Sequence, residues 1–443
     1  MRPRILWHPI DVVVDPDAAF VALFGDSTDV VWLDSNSAAA GKSYLGRAAR
    51  TVSSDDIDGS VLDFLRAELG AVEVDAGRDG FALGWLGWLS YELRFETMGA
   101  ERTRRSRYPD AAFLYLDRAI EFDHGTSTIT LLALGSEWDD ELTAWRDETT
   151  EALRGARPPA RPRKPRLLGS AYWRYSDDKY LAMIGEAQAA IAAGDAYLLC
   201  LTSEFRVQGA PDVVSTYRAL RTASPSHHGG LLRIGGVALL SASPEQFLSV
   251  SPDGVIQSRP IKGTRRRGAT PDEDALLRDE LLHSEKERAE NLMIVDLMRN
   301  DIAQVSEIGS VDVTSLLAVE SYAQVHQLVS TVRGQLRADL HGVDAVAACF
   351  PAGSMTGAPK RAATEILDRI EQRPRGIYSG AFGYFGLDGR IDLAMVIRSI
   401  VIDADGATVG SGGGITALSD PAEELDEVYL KAAALLGVLG ADD

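Results

Sequence analysis

The sequence predicts an α+β chain, and three observations carry that reading. Short apolar runs closed by turn residues recur along it, as strands do. Longer segments open on a capping residue and continue with helical apolar spacing. A proline- and arginine-rich stretch divides a shorter, mixed N-terminal region from a longer C-terminal one. At 443 residues the chain has room for two or three average domains or one large one.

Taken in order, Val30 to Leu33 is an apolar run closed by Asp34 and Ser35, as at the edge of a sheet. Gly84 to Glu92 is punctuated by glycine and reads as a core strand with close backbone packing. Residues 155–169 hold four prolines, several basic residues and no acid, so an extended, exposed linker is expected. The division is therefore 1–152, a linker at 153–169, and 170–443. Ser176 to Ala193 reads as a helix stopped by Gly194, and Asp195 to Thr202 as a buried strand. Val237 to Leu240 and Leu393 to Ile402 are further strands, the latter carrying Arg398. Ser284 to Asp301 is the clearest helix: Ser284 and Glu287 make a capping-box pattern, and Leu292, Met293, Val295 and Leu297 give an apolar face. The last helix has Asp420 as its cap and Pro421 at its first position, buries Leu425, Val428, Ala432 and Leu435, and allows a Glu427–Lys431 surface pair.

Composition excludes several classes. Hydrophobic content of 45% and charged content of 25% are those of a globular protein with a core. A net charge of −20 opposes nucleic-acid binding, which needs clustered cations, but not a small anionic substrate. No run has the length of a signal peptide or a membrane span, so no membrane association is expected and the expected location is cytoplasmic. Cys200 and Cys349 lack metal-ligand spacing and read as small apolar residues.

Chemistry concentrates in the second half. Lys262, between Pro260 and Gly263, is poorly placed for a solvated helix face; it is either a nucleophile or part of a basic loop facing an anion. A nucleophilic lysine must be neutral, which desolvation or a cationic neighbour favours, and Arg259 and Arg265–Arg267 lie close in sequence. Glu245, on a loop after a strand, can serve as acid or base, or can pair with an arginine. Glu287 with Glu290, and Glu424 with Glu427, are pairs three apart on helices; two such pairs can meet around a hard divalent cation or can be solvated faces. Phe350 to Lys360 lacks the P-loop spacing, and Gly410 to Ile415 lacks the dinucleotide pattern, although its amides can form an anion nest. A buried Arg398 needs an anionic partner, for which a carboxylate is the natural match.

Together these stretches resemble, in order, the motifs of the chorismate-utilising enzymes, which include anthranilate, aminodeoxychorismate, isochorismate and salicylate synthases. The blocks are Pro260 to Thr264, Ser284 to Asp301, Phe350 to Lys360 and Asp420 to Lys431. The resemblance implies an α+β sandwich of orthogonally packed sheets between helical layers, with the N-terminal region adding strands to the same body. It implies that Thr264, Ser354, Tyr378, Arg398, Ser411, Gly412, Gly413 and Gly414 bind substrate. It also implies that Glu290 and Glu427 ligate Mg²⁺ directly, with Glu287 and Glu424 holding its waters. A lysine at position 262 marks the members that aminate chorismate, with Lys262 as covalent nucleophile and Glu245 as acid–base; anthranilate synthases carry a small residue there. The implied product is 4-amino-4-deoxychorismate, the precursor of p-aminobenzoate for folate. No glutaminase region is recognisable, so ammonia is expected from a separate glutamine amidotransferase subunit.

Some positions depart from the family pattern. Gln327 stands where a histidine is usual and His326 comes one place earlier, a shift that turns a strand side chain to the other face; His326 is kept as a substrate-binding candidate. Leu198 replaces a polar residue, and Ser224 to His228 alters a substrate block. Leu33 to Ser35 resembles the block lining the tryptophan pocket of anthranilate synthases. Rival expectations are an anthranilate synthase large component, an isochorismate or salicylate synthase, and a non-catalytic chorismate-binding regulatory subunit.

Overall fold

The apolar runs become strands of two antiparallel sheets. The computed structural model describes residues 3–35, 41–72, 74, 79–160, 171–209 and 211–440. The first sheet runs Arg4–Ile10, Thr128–Gly135, Arg118–Asp123, Lys42–Arg47, Val30–Asp34, His228–Ile234, Val237–Ser243, Ser399–Asp403, Gly406–Ile415, Leu198–Gln208 and Gly357–Ala358. The second runs Ile261–Arg266, Val325–Gln335, Val255–Ser258, Gln246–Val250, Ile391–Met395, Ala381–Gly386, Gly84–Leu89, Ala111–Leu116 and Arg50–Ser53. Both sheets therefore mix strands from the two halves of the chain. Residues 161–169 of the expected linker lie outside the described residues, and its first three residues close the helix Asp140–Gly155.

The main core lies between the sheets. Val31, Leu232 and Leu239 of the first pack in one cluster with Trp88, Phe113, Phe382 and Leu393 of the second. Helices cover the first sheet's other face, where Phe20, Tyr217, Leu220, Ala432 and Leu435 meet Val30, Leu231 and Leu240. Gly87 shows why a glycine-punctuated strand was needed there, because a Cβ on it would stand 2.0 Å from the Ala112 carbonyl oxygen. No described helix is long and apolar enough to cross a membrane.

Several elements differ from expectation. Val30–Asp34 is not an edge strand, since it pairs with Lys42–Arg47 on one side and His228–Ile234 on the other. The strand expected at Asp195 begins at Leu198 and continues to Gln208. The acidic helix is Glu285–Ala303, but the Ser284 side chain accepts no capping hydrogen bond; the same residue ends the preceding helix, Pro271–His283. Its buried face is Asn291, Ile294, Val295, Met298 and Ile302, while Leu292 is 44% exposed. At the C-terminal helix, Pro421–Leu439, Asp420 caps the amides of Ala422 and Glu423 as expected.

The segment Leu393 to Ile402 is two strands, Ile391–Met395 and Ser399–Asp403, belonging to different sheets. The chain also changes sheets between Val237–Ser243 and Gln246–Val250. These two corners lie side by side: the Met395 amide donates to the Glu245 carbonyl at 3.0 Å, and the Ala242 amide to the Arg398 carbonyl at 3.1 Å. Glu245 and Arg398 are thus both corner residues, and the site is built where the sheets part.

Candidate active site

Lys262 is aimed by a bulge. Across Ile261–Arg266 and Val325–Gln335 the register pairs Ile261 with Val329 and Thr264 with Gln327, so one extra residue is inserted on the lysine strand. Gly263 takes a φ of +85° there, and a Cβ would come 1.6 Å from Glu287 Oε2. The bulge turns Lys262 into a cleft of about 620 Å³, where its side chain is 14% exposed. Its Nζ lies 3.9 Å from Glu290 Oε2. The sequence-adjacent arginines do not reach it: Arg259 pairs with Glu320, Arg265 with Glu280 and Glu287, Arg266 with Glu273, and Arg267 with Asp274. The expectation that they depress the lysine is therefore corrected. Burial pulls Lys262 down, but Glu290 with the other acids of the cleft outweighs it and holds the ammonium above its ordinary value.

Glu245 lies in the same cleft, buried. Burial lifts its carboxyl to about 7, against the Lys262 charge and hydrogen bonds donated by the Ser354 hydroxyl and the Ile261 amide. Ser354 sits in a short turn, Gly353–Met355, between Phe350 and the strand Gly357–Ala358. Behind it, the buried Arg375 donates to the carbonyls of Met355 at 2.6 Å and Cys200 at 2.8 Å, and bidentately to Glu371. One arginine so ties the serine turn, the strand Leu198–Gln208 and the approach to Tyr378 together.

Arg398 is not a buried strand residue as expected. It occupies the corner with φ 51° and is exposed to the cleft. Its guanidinium donates to the Lys431 carbonyl at 3.0 Å and, among the described residues, pairs with no carboxylate. It is placed to grip an anion. The glycine run is an extended strand, Gly406–Ile415, and not a nest. Ser399–Asp403 pairs it only as far as Val409, so Gly410 to Gly414 have one open edge. The Gly412 carbonyl turns to that side, accepting from Lys431 Nζ at 2.9 Å, and alternate amides face the same way. Ser411 donates instead to the Val428 carbonyl at 2.7 Å, which spends its hydroxyl on the C-terminal helix.

The four helix glutamates all line this cleft. Each meets a cation: Glu287 with Arg265 at 2.8 Å, Glu290 with Lys262, Glu424 with Lys286 at 2.8 Å, and Glu427 with Lys431 at 2.6 Å. Burial raises Glu290; for Glu427 burial is outweighed by Lys431, which holds it below the usual range. Among the described residues no three acidic, histidine or cysteine groups form a ready ligand cluster. The donor set nevertheless suits a hard divalent cation. It is all carboxylate oxygen, Glu287 Oε2 is buried with no hydrogen-bond partner among the described residues, and Gly413 leaves room for Glu424. A Cβ at Gly413 would stand 2.9 Å from Glu424 Oε2, and one at Gly414 3.6 Å from Glu290 Oε2.

His326 is the one site candidate that the structure places elsewhere. It is buried, with Nε2 3.0 Å from Asp274 Oδ1 and Nδ1 2.8 Å from Ser321 Oγ, clamping its strand to the helix Pro271–His283. Strand alternation sends Gln327 into the cleft instead. Thr264, Tyr378 and the remaining candidates all line it. Sequence reasoning missed Gln327 and Lys286; the first follows from the alternation once the histidine shift is seen, and the second from its place one turn before Glu290. His227 and His228 line a different cavity of about 520 Å³, with Leu33, Asp34, Arg259 and Tyr322.

A family model described as chorismate binding enzyme matches residues 28–437. The chain belongs to that family. An aminodeoxychorismate synthase of Streptomyces pristinaespiralis is 42% identical over 98% of this chain and 65% of its own length. An anthranilate synthase component 1 of Haloferax volcanii is 38% identical over 86% of this chain and 75% of its own. Among solved structures, anthranilate synthase component I from Streptococcus pneumoniae superposes with a TM-score of 0.78 at 29% identity, covering 96% of this chain and 97% of that one. The chain thus spans just under two thirds of the length of its aminodeoxychorismate synthase relative.

Proposed function

We propose that the cleft aminates chorismate at ring carbon 4, yielding 4-amino-4-deoxychorismate with the enolpyruvyl group retained. The observation that carries this reading is Lys262, turned by its bulge into the cleft that holds Glu245 and Arg398. The name and 42% identity of the Streptomyces relative support it.

In this reading Arg398 and the open amides of Gly410 to Gly414 hold substrate carboxylate. Glu290 and Glu427, with Glu287 and Glu424 behind them, would hold Mg²⁺. When bound, that ion supplies an electrophilic anchor for a carboxylate and neutralises the glutamates that keep Lys262 protonated. Lys262, its proton released to solvent, adds to ring carbon 2, the two ring double bonds shift, and the carbon–oxygen bond at carbon 4 breaks. Glu245, with its carboxyl near 7, gives the departing hydroxyl its proton, so that water leaves. Ammonia then adds at carbon 4, the double bonds shift back and Lys262 is expelled; the ammonium proton returns to the Glu245 carboxylate. The sum is chorismate plus ammonia giving aminodeoxychorismate plus water. The ammonia donor is a glutamine amidotransferase partner.

The deciding experiment is mass-resolved product analysis with chorismate, Mg²⁺ and ammonium, run beside Lys262→Ala. Aminodeoxychorismate without pyruvate, reduced by about 10³-fold or more in the variant, is expected. Anthranilate plus pyruvate would place the chain with its anthranilate synthase relatives and overturn the role given to Lys262.

A further inference from the structure

Lys286 is badly placed for its own helix. It is the second residue of Glu285–Ala303, and a cation in a first turn faces the positive end of the helix dipole. Its ammonium reaches across to the C-terminal helix instead, where Nζ lies 2.8 Å from Glu424 Oε1. That oxygen also accepts from the Ser419 hydroxyl at 2.7 Å, and the Glu424 side chain is only 2% exposed. Lys286 is thus the counter-ion of a buried carboxylate, one of the four that would hold Mg²⁺ and its waters.

Four glutamates here meet four cations, so the set is already balanced by the chain's own charges. A divalent cation brought among them adds two positive charges, and at least one resident cation must give up its carboxylate. The four are not equally free to do so. Lys431 is held at two points, by Glu427 at 2.6 Å and by the Gly412 carbonyl at 2.9 Å. Arg265 is held by Glu280, Glu287 and the Thr264 carbonyl. Lys262 lies inside the cleft, 14% exposed. Lys286 bonds Glu424 alone among the described residues, and at 38% exposure it has water beside it. We infer that Lys286 is the exchangeable counter-cation of the metal cage: it satisfies Glu424 while no metal is bound, yields to a divalent cation, and by competing with that cation weakens the cage's affinity for it. The inference rests on the metal reading proposed above.

The test is a binding measurement on the full chain without chorismate. Mn²⁺, a hard cation that accepts the same oxygen ligands, is titrated into the parent, Lys286→Met, Lys286→Arg and Glu290→Gln, and the free ion is counted by electron paramagnetic resonance. Lys286→Met should lower Kd for Mn²⁺ by at least about tenfold, while Lys286→Arg, which keeps the charge, stays within about twofold of the parent. Urea unfolding separates this role from that of a merely structural ion pair. Without metal, Lys286→Met leaves Glu424 uncompensated and should unfold at lower urea than the parent; saturating Mn²⁺ should restore most of that loss. Parent-like or weaker Mn²⁺ binding in Lys286→Met, or a stability loss that Mn²⁺ does not reduce, would overturn the counter-cation role; the metal reading survives if Glu290→Gln still weakens binding. Mn²⁺ binding unaffected by Glu290→Gln, or absent from every form, would overturn the metal reading, and the role of Lys286 with it.

Discussion

Replacing Glu245 by glutamine tests whether this carboxyl is held neutral. Its pKa moves from 4.5 in the unfolded chain to about 7 in the fold, with burial as the main cause. A raised carboxyl pKa means that the folded state favours the neutral form, so the group's contribution to stability is fully present below 4.5 and is lost as pH rises through 7. Linkage gives a penalty of about 1.4 kcal/mol at about pH 5.5 and about 3 kcal/mol at about pH 8.5. Glutamine cannot ionise, so Glu245→Gln removes this pH dependence; whatever the amide costs in hydrogen bonds to Ser354 and Ile261 is the same at both pH values. The stability difference, variant minus parent, should therefore shift by about 2 kcal/mol in the variant's favour between the two pH values, read from urea midpoints and slopes. Activity should fall in the variant, and kcat/KM of the parent should decline above pH 7 as the proton is lost. A pH-independent stability difference would refute the claim that Glu245 is buried neutral at acid pH.

Three further outcomes follow. Glu371→Gln leaves the guanidinium of Arg375 buried without its counter-ion and should cost about 3–5 kcal/mol by denaturant unfolding, with Arg375→Met and Glu371→Gln combined costing less than the sum. Gly263→Ala forces a side chain into left-handed backbone against Glu287 and should lower stability by about 1–3 kcal/mol while weakening Mg²⁺ activation, seen in a metal titration of rate. His326→Ala should destabilise by about 1–3 kcal/mol with KM for chorismate within about twofold of the parent, whereas Gln327→Ala should raise that KM; the reverse pattern would return the histidine to the cleft.

Strand positions and capped helices were readable because their signals are local. Asp420 and Pro421 start the last helix where they should, and Ser176 caps the helix Asp177–Ala192. The acidic helix misled in phase because apolar counting assumes one core-facing side. Here one face carries Glu287 and Glu290 into the cleft, and the core side includes Asn291, which accepts from Ser330 Oγ at 2.6 Å. Arg398 misled for a related reason: a continuous apolar run hid the corner at which the chain leaves one sheet for the other. Lys262 stood out through its proline and glycine neighbours, but its electrostatic partners did not. The nearest charges in sequence are arginines turned toward Glu280, Glu273 and Asp274, while the acids that face it come from the sheet corner at Glu245 and from two later helices.

If the proposed reading holds, the charge balance of the cleft orders the events of binding. Lys262, Lys286, Lys431 and Arg265 are each met by a glutamate, so they offer an incoming anion little net attraction. Arg398 stands apart: among the described residues it bonds only a main-chain carbonyl. A dianionic substrate therefore finds its first strong partner at Arg398, on the sheet corner beside Glu245. The second carboxylate must then face the glutamate side, where it is repelled unless the charge of Glu290 and Glu427 is taken up. Under the proposed reading, Arg398→Lys should weaken chorismate binding at every Mg²⁺ concentration, because a point charge cannot reproduce the forked contact from the same corner. Glu427→Gln should instead shift the Mg²⁺ requirement for binding. Equal responses of the two variants to added Mg²⁺ would show that the two ends of the cleft do not divide the carboxylates between them.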